Sequence, residues 1–305
     1  MAHEIKNVAL AGASGSLGSH ILRALNKSGR FTVTVLTRKT TKDVPTGTGV
    51  KVVDFESVSD LTAVLKGQDA LVDATSVPDP SFAIRLMDAA VAAGVYRMIP
   101  AEFSSDPMNA KARGLPPFQG KAKALGHIQK LADDKRITWT AISNHAFLDW
   151  GLRMSFIGID LQNKCIDYLK PCLTVVPLTT LESVGTAVAN ALIKAEETKN
   201  RVCYICNTQK TQKDLAELAK RALGDQVWKT KDLDTKEAFE KAMVQLQAGQ
   251  VDMQVIGDII RFSISTPGYI QELEKTDNDL LGVKKMSDAE VQELIREIAR
   301  EKSAA

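Results

Sequence analysis

No stretch of this sequence approaches the ~20 continuous apolar residues that a bilayer-spanning helix needs, so no membrane span is expected. The opening Met1–Lys6 is polar and lacks the apolar core of a secretory leader, which makes a cytoplasmic protein the expectation. An excess of one charge is missing as well. With 39 Lys and Arg against 37 Asp and Glu, the net charge is +2, and such a balance presents no electrostatic footprint for nucleic acid. Histidine and cysteine are sparse, at four each. His3, His20, His127 and His145 are scattered, with no pair at metal spacing, so no metal site is expected. Among Cys165, Cys172, Cys203 and Cys206, the last two form Cys-x-x-Cys, the spacing of a redox or zinc motif. Their segment reads as a strand, whereas redox pairs usually open a helix that lowers the first thiol's pKa. Residues three apart on a strand also point to opposite faces. These thiols read as small apolar groups.

What is present is an ordinary globular composition, 44% hydrophobic over 305 residues, enough for one large core or two unequal lobes. The first half alternates strand and helix signals. Val8–Ala11, Phe31–Leu36, Val50–Val53, Ala70–Ala74, Tyr96–Ile99 and Ile137–Ile142 read as strands. Leu17–Ser28, Leu61–Lys66, Phe82–Ala93 and Ala122–Ala132 read as helices, the first three stopped by Gly29, Gly67 and Gly94. Strands joined by single helices imply right-handed crossovers and a parallel sheet. Between Ser104 and Pro117, the residues Pro107, Gly114, Pro116 and Pro117 exclude a regular element and predict a functional or mobile loop. After Trp150, Leu173–Pro177 and Arg201–Cys206 read as strands, and Leu181–Lys194, Lys213–Leu223 and Lys236–Ala248 as helices. Ser287-Asp288-Ala289-Glu290 is a capping box opening a last helix to about Arg300. The expected fold is α/β: a doubly wound Rossmann domain over 1–150 and a smaller C-terminal α/β substrate lobe over 151–305, with later segments free to return to the sheet.

The turn after the first strand is Gly12-Ala13-Ser14-Gly15-Ser16-Leu17-Gly18. Gly12 permits a tight turn, Gly15 lets the backbone approach a pyrophosphate, and Gly18 lets the helix pack close to the sheet. The exposed N–H groups and the helix dipole then favour phosphate. Its place between a strand and a helix is the context that makes a glycine motif informative. At the end of the second strand, a site for NAD carries Asp or Glu about 20 residues past the glycines. Here Arg38 stands there, followed by Lys39, with Lys42 a weaker candidate. A guanidinium fork suits a ribose 2′-phosphate, so the expected cofactor is NADPH. Thr75, Ser76 and Val77, past the fourth strand, lie where ligands of open parallel sheets bind and are expected to border the cofactor.

The sequence lacks two common catalytic signatures. None of Tyr96, Tyr168, Tyr204 and Tyr269 has a lysine four residues on, and there is no Gly-x-Ser-x-Gly nucleophile turn. Instead it reads Ile99-Pro100-Ala101-Glu102-Phe103, then Phe118-Gln119-Gly120-Lys121-Ala122-Lys123, then Ser143-Asn144-His145-Ala146-Phe147. With the glycine turn and Arg38, this series resembles the NmrA-like and isoflavone-reductase-like family, which includes phenylcoumaran benzylic ether and pinoresinol-lariciresinol reductases. The resemblance implies an atypical short-chain reductase fold, NADPH, and one catalytic lysine at the end of Phe-x-x-Lys. That lysine is Lys121, with Lys123 the alternative if the register shifts. It also places Glu102, Phe103, Lys121 and Asn144 beside the cofactor. Phe103, His145, Phe147 and Trp150 are candidate walls for an aromatic substrate. Ala124-Leu125-Gly126-His127 replaces an arginine-rich stretch of the family, a departure that bears on the substrate more than on the cofactor. A lysine here has a chemical rationale: hydride addition builds negative charge on an oxygen, which an ammonium stabilises or protonates. The expected protein is an NADPH-dependent reductase of a small aromatic or conjugated molecule, working as a monomer or homodimer. The rival is a non-enzymatic dinucleotide-binding redox sensor, which has no need of that lysine.

Overall fold

The computed structural model describes residues 3–39, 46–224 and 227–303. The chain opens with β1 (Asn7–Ala11), α1 (Ser16–Lys27), β2 (Thr32–Thr37), β3 (Gly49–Val52), α2 (Val58–Leu65), β4 (Ala70–Asp73), α3 (Pro80–Ala93) and β5 (Arg97–Ile99). It continues with α4 (Ala110–Arg113), α5 (Pro116–Asp133), β6 (Thr138–Ser143), β7 (Ala146–Phe147), α6 (Leu148–Arg153), β8 (Ile159–Asp160), β9 (Cys165–Lys170) and β10 (Val176–Thr179). The remainder is α7 (Leu181–Ile193), β11 (Arg201–Tyr204), β12 (Thr208–Lys210), α8 (Gln212–Leu223), β13 (Lys229–Asp234), α9 (Thr235–Gln247), α10 (Met253–Ser265), α11 (Asn278–Leu281) and α12 (Asp288–Ser303).

Seven parallel strands form one sheet in the order β11-β6-β5-β4-β1-β2-β3. The order reverses between β1 and β4, and a crevice opens at the carboxyl ends of strands at such a point. Alternation along each strand builds two cores. Val8 and Leu10 of β1 join Ile21, Leu22 and Leu25 of α1 with Val184, Val188 and Leu192 of α7. Ala9 and Ala11 face the opposite way, onto α2, α3 and α5 through Leu61, Leu86, Met87 and Ile128. Helices thus cover both faces, which is the doubly wound architecture expected. Gly185 brings α7 against α1, since a Cβ there would lie 2.6 Å from the His20 carbonyl oxygen. β11 lies beyond residue 150 yet pairs with β6, Cys203 standing opposite Ile142.

Two three-stranded sheets, β12-β10-β7 and β13-β9-β8, make up the rest. Their core joins Ile159, Ile166, Leu178 and Leu215 to Ile295 and Ile298 of α12. The capping box that opens α12 is present, Ser287 and Glu290 exchanging backbone and side-chain bonds.

Several boundaries differ from the sequence reading. The stretch from Ser104 to Pro117 contains a one-turn helix, α4, and the start of α5. Pro116 and Pro117 occupy the first turn of α5, where the missing N–H would have had no partner anyway. The strand expected at Leu173–Pro177 begins at Val176, and β11 ends at Tyr204, short of Cys206. All four thiols are free, Cys203 and Cys206 being buried. Burial pushes the Cys203 thiol up to about 12, which leaves it unreactive. β9, β13 and α10 are elements that the sequence reading did not include. Among the described residues no cluster of His, Cys, Asp and Glu is built to hold a metal, and no helix is long and apolar enough to cross a membrane.

Candidate active site

The glycine turn sits at the point where the strand order reverses. Gly12 has φ +83, and a Cβ on it would lie 2.6 Å from the Ala74 carbonyl oxygen. A Cβ on Gly18 would lie 2.0 Å from the Gly12 carbonyl oxygen. Gly15 has no such crowding; its Cβ would meet only the Gly12 oxygen, at 3.4 Å. Two glycines therefore close the turn onto β4 and α1, and the third leaves the approach open. Gly15 caps α1 with no side-chain hydrogen bond, and the first helical bond is Ser19 N–H to Gly15. The N–H groups of Ser16, Leu17 and Gly18 precede it and have no intrahelical acceptor. Ser14, Gly15 and Ser16 are exposed, while Ala13 is buried under them. A glycine-lined cradle ending in free donors fits a pyrophosphate.

The register of β1 and β2 sets Ala11 opposite Leu36. Arg38 and Lys39 follow two and three residues later, beside the turn, and both are exposed. Arg38 makes no hydrogen bond or ion pair among the described residues. Lys42 lies outside the described residues. The contact between Gly12 and Ala74 brings Thr75, Ser76 and Val77 to the same crevice, with Ser76 and Val77 exposed.

Lys121 stands in the second turn of α5. A Cβ on the neighbouring Gly120 would lie 2.5 Å from the Pro78 carbonyl oxygen, so α5 is pressed against the loop that leaves β4. That contact aims Lys121 at the carboxyl ends of β4 and β5. Its Nζ donates to the carbonyl oxygens of Ala101 and Glu102, the latter at 3.4 Å. Burial lowers its pKa, with Glu102 and Asp73 opposing the shift and Arg113 adding to it. Lys123 is exposed, on the outer side of the helix.

Glu102 is buried and paired with Arg113. Phe103 packs into the core with Ile99 and Ile205, and Phe147 borders the same cluster. Asn144 is fully buried; its backbone oxygen accepts from Thr179 Oγ1 at 2.7 Å while its Oδ1 has no partner among the described residues. His145 has φ +56 and is 4% exposed. Trp150 is turned elsewhere, its ring 5.3 Å from that of Phe156. The structure therefore gathers the glycine turn, Thr75–Val77, Glu102, Phe103, Lys121, Asn144, His145 and Phe147 along the carboxyl edge of the sheet, and sets Trp150 in the packing of α6.

Sequence reasoning missed Asp73 and Arg113. Asp73 ends the apolar strand Ala70-Leu71-Val72-Asp73, and a carboxylate at the mouth of a buried strand was the available signal. It is fully buried; Thr75 donates to Oδ1 from N–H at 2.9 Å and Oγ1 at 2.7 Å, and Oδ2 has no partner among the described residues. Burial raises its pKa, against the Thr75 bonds and Lys121. Arg113 carried no signal, because only the fold of α4 brings it to Glu102. A small cavity of about 30 Å³ is lined by Ala146, which lies between His145 and Phe147, and by Leu169, Val176, Leu178 and Ile264. It has room for a water, not for an aromatic substrate.

A parallel sheet with a donor-lined cradle at its reversal point, an exposed arginine past β2 and a half-buried lysine define a protein of the Rossmann class. The chain belongs to the NmrA-like family, whose model matches residues 4–278, as the motifs led us to expect. It is 30% identical over 283 residues to the oxidoreductase aprR of Aspergillus flavus, covering 90% of this chain and 94% of that one. Among solved structures, the binary complex of leucoanthocyanidin reductase and NADPH from Vitis vinifera superposes with a TM-score of 0.79 at 15% identity, covering 95% of this chain and 99% of that one. AtPrR2 with NADP+ and (+)pinoresinol superposes with a TM-score of 0.77 at 17% identity, covering 98% and 100%. At these identities the two structures speak for the fold.

Proposed function

We propose that this protein is a cytoplasmic NADPH-dependent reductase of a small aromatic or conjugated molecule, with Lys121 as its proton-handling residue. The oxidoreductase name of the Aspergillus flavus relative supports the reaction class. The bound NADP(H) of the two solved structures supports the cofactor. The observation that carries the reading is the position of Lys121: half-buried, tied to the Ala101 and Glu102 carbonyls, at the edge where the glycine cradle opens. When bound, NADPH supplies a hydride. The Gly12–Gly18 turn holds its pyrophosphate, Arg38 its 2′-phosphate, and Phe103 and Asn144 border the nicotinamide end. Lys121 stabilises or protonates the oxygen on which charge develops, and burial has already moved its pKa toward working pH. Residues 1–150 then carry the cofactor, while 151–305 cover the substrate side, in a monomer or homodimer.

The test is a screen of phenylpropanoid ethers, isoflavones and aromatic enones by NADPH oxidation, followed by Lys121→Met. Turnover should fall roughly 10²–10⁴-fold, the usual contribution of one general acid or base, with NADPH affinity nearly intact. The exposed Lys123→Met is the control and should change little. An active enzyme whose Lys121→Met variant keeps full rate would refute the mechanism. Tight NADPH binding without any turnover would favour a sensor.

A further inference from the structure

Seven buried side-chain polar atoms beside the candidate site have no partner among the described residues: Ser104 Oγ, Ser105 Oγ, Arg113 Nε and Nη1, Asn144 Oδ1, and both ring nitrogens of His145. Buried polar groups are paired in folded proteins with few exceptions, and each orphan needs an explanation. These are contiguous. His145 N–H donates to the Ser104 carbonyl at 3.1 Å, Ser143 Oγ to the same oxygen at 3.3 Å, and Arg113 Nη2 to the Ser105 carbonyl at 3.5 Å. They come from the loops that leave β5 and β6, and Ser104 is two residues past Glu102, whose carbonyl holds Lys121.

We propose that the Ser104–Asp106 loop, Arg113 and the Asn144–His145 turn form a polar recognition pocket for a neutral hydroxyl-bearing group of the substrate, with His145 as its specificity-determining contact. This deepens the reductase reading above and rests on it. Three observations beyond the orphan count support it. The backbone of His145 is held at φ +56, a conformation that costs any residue with a Cβ, and its ring is nonetheless buried without a partner. A ring so placed is neutral, burial having pushed its pKa down to about 4 against the pull of Asp106. A neutral imidazole offers one donor and one acceptor, the complement of a hydroxyl. The charges around the pocket are also spoken for. Glu102 pairs with Arg113, and Asp106 accepts from Tyr204 Oη at 2.8 Å and Gln271 Nε2 at 3.4 Å. An anionic substrate group would meet Asp106 and Glu102, and a cationic one would meet Arg113, so a neutral hydroxyl fits where a carboxylate or amine does not. The hydroxyls of Ser104 and Ser105 and the Asn144 oxygen extend the same mixed pattern of donors and acceptors.

The probes are phenol and anisole, of similar shape and differing in the hydroxyl. Each is titrated into protein carrying isotope-labelled histidine, with and without NADP+, while imidazole nitrogen resonances are followed by NMR. His145→Asn assigns the signal among the four histidines. Phenol should shift the His145 resonances saturably and bind about tenfold more tightly than anisole, the worth of one hydrogen bond. His145→Phe should erase that preference and leave NADP+ affinity unchanged; if it fails to fold, His145→Asn with Ser105→Ala serves instead. Equal binding of the two probes, or no movement of the His145 signal because the pocket holds ordered water only, would overturn the proposal. Failure of the wild type to bind NADP+ would instead count against the reductase reading, and the titration without NADP+ separates the two.

Discussion

His145 makes a quantitative statement about acid stability. Its pKa is lowered by burial from 6.5 to about 4, with Asp106 the opposing charge. In the unfolded chain the imidazole takes up a proton near its ordinary value, whereas the folded protein resists until the lower one. Between those two values the unfolded state binds more protons, so stability falls as pH falls. The contribution is fully present above the unfolded pKa and is lost progressively down to the folded one. At about 1.36 kcal/mol per pKa unit, the loss totals about 3 kcal/mol, of which about 2 kcal/mol is gone by about pH 5. The perturbation is His145→Asn, which removes the titration and suits the left-handed backbone better than most residues. Urea unfolding of both proteins should be followed from about pH 8 to about pH 4.5. With an m of about 2 kcal/mol/M, the midpoint difference should change by on the order of 1 M across that range. Only the difference is diagnostic, because Asp73 works the other way. Its buried carboxyl has a raised pKa, and the folded state gains stability as that group protonates. A wild-type minus variant difference that stays constant with pH would refute the account of His145 as a buried neutral imidazole.

Other outcomes follow from the same geometry. NADPH should bind at least about tenfold more tightly than NADH, since charged hydrogen bonds contribute about 1.5–3 kcal/mol each, and Arg38→Ala should abolish the preference in a fluorescence titration. Gly18→Ala should cost about 3 kcal/mol and weaken NADPH binding, because its Cβ would meet the Gly12 carbonyl oxygen at 2.0 Å; a variant of unchanged melting temperature and affinity would contradict the close packing. Arg113→Met should destabilise by about 3–5 kcal/mol by stranding buried Glu102, and adding Glu102→Gln should recover part of that loss in denaturant melts.

The sequence alone determined six of the seven strands of the sheet, the helices on its two faces and the glycine turn. Each of these is a local matter. Gly12, Gly15 and Gly18 follow an apolar strand directly, and a strand that alternates with single helices has few topologies open to it. Lys121 stood out in the sequence through its short motif, and the folded chain sets it apart from the exposed Lys123 by tying it to the Ala101 and Glu102 carbonyls. The Arg113–Glu102 pair, the burial of Asp73 and the orphaned ring of His145 belong to tertiary structure. No spacing rule links Arg113 to Ser105, because the irregular loop between them sets that contact, or Tyr204 to Asp106, because segments distant in the chain meet there. The same holds for β11, which follows α7 and joins the central sheet beside β6. Local patterns encode the elements and the turns between them; the polarity of the pocket arises where loops converge, and there only the folded chain decides which polar atoms find partners and which are left for a ligand.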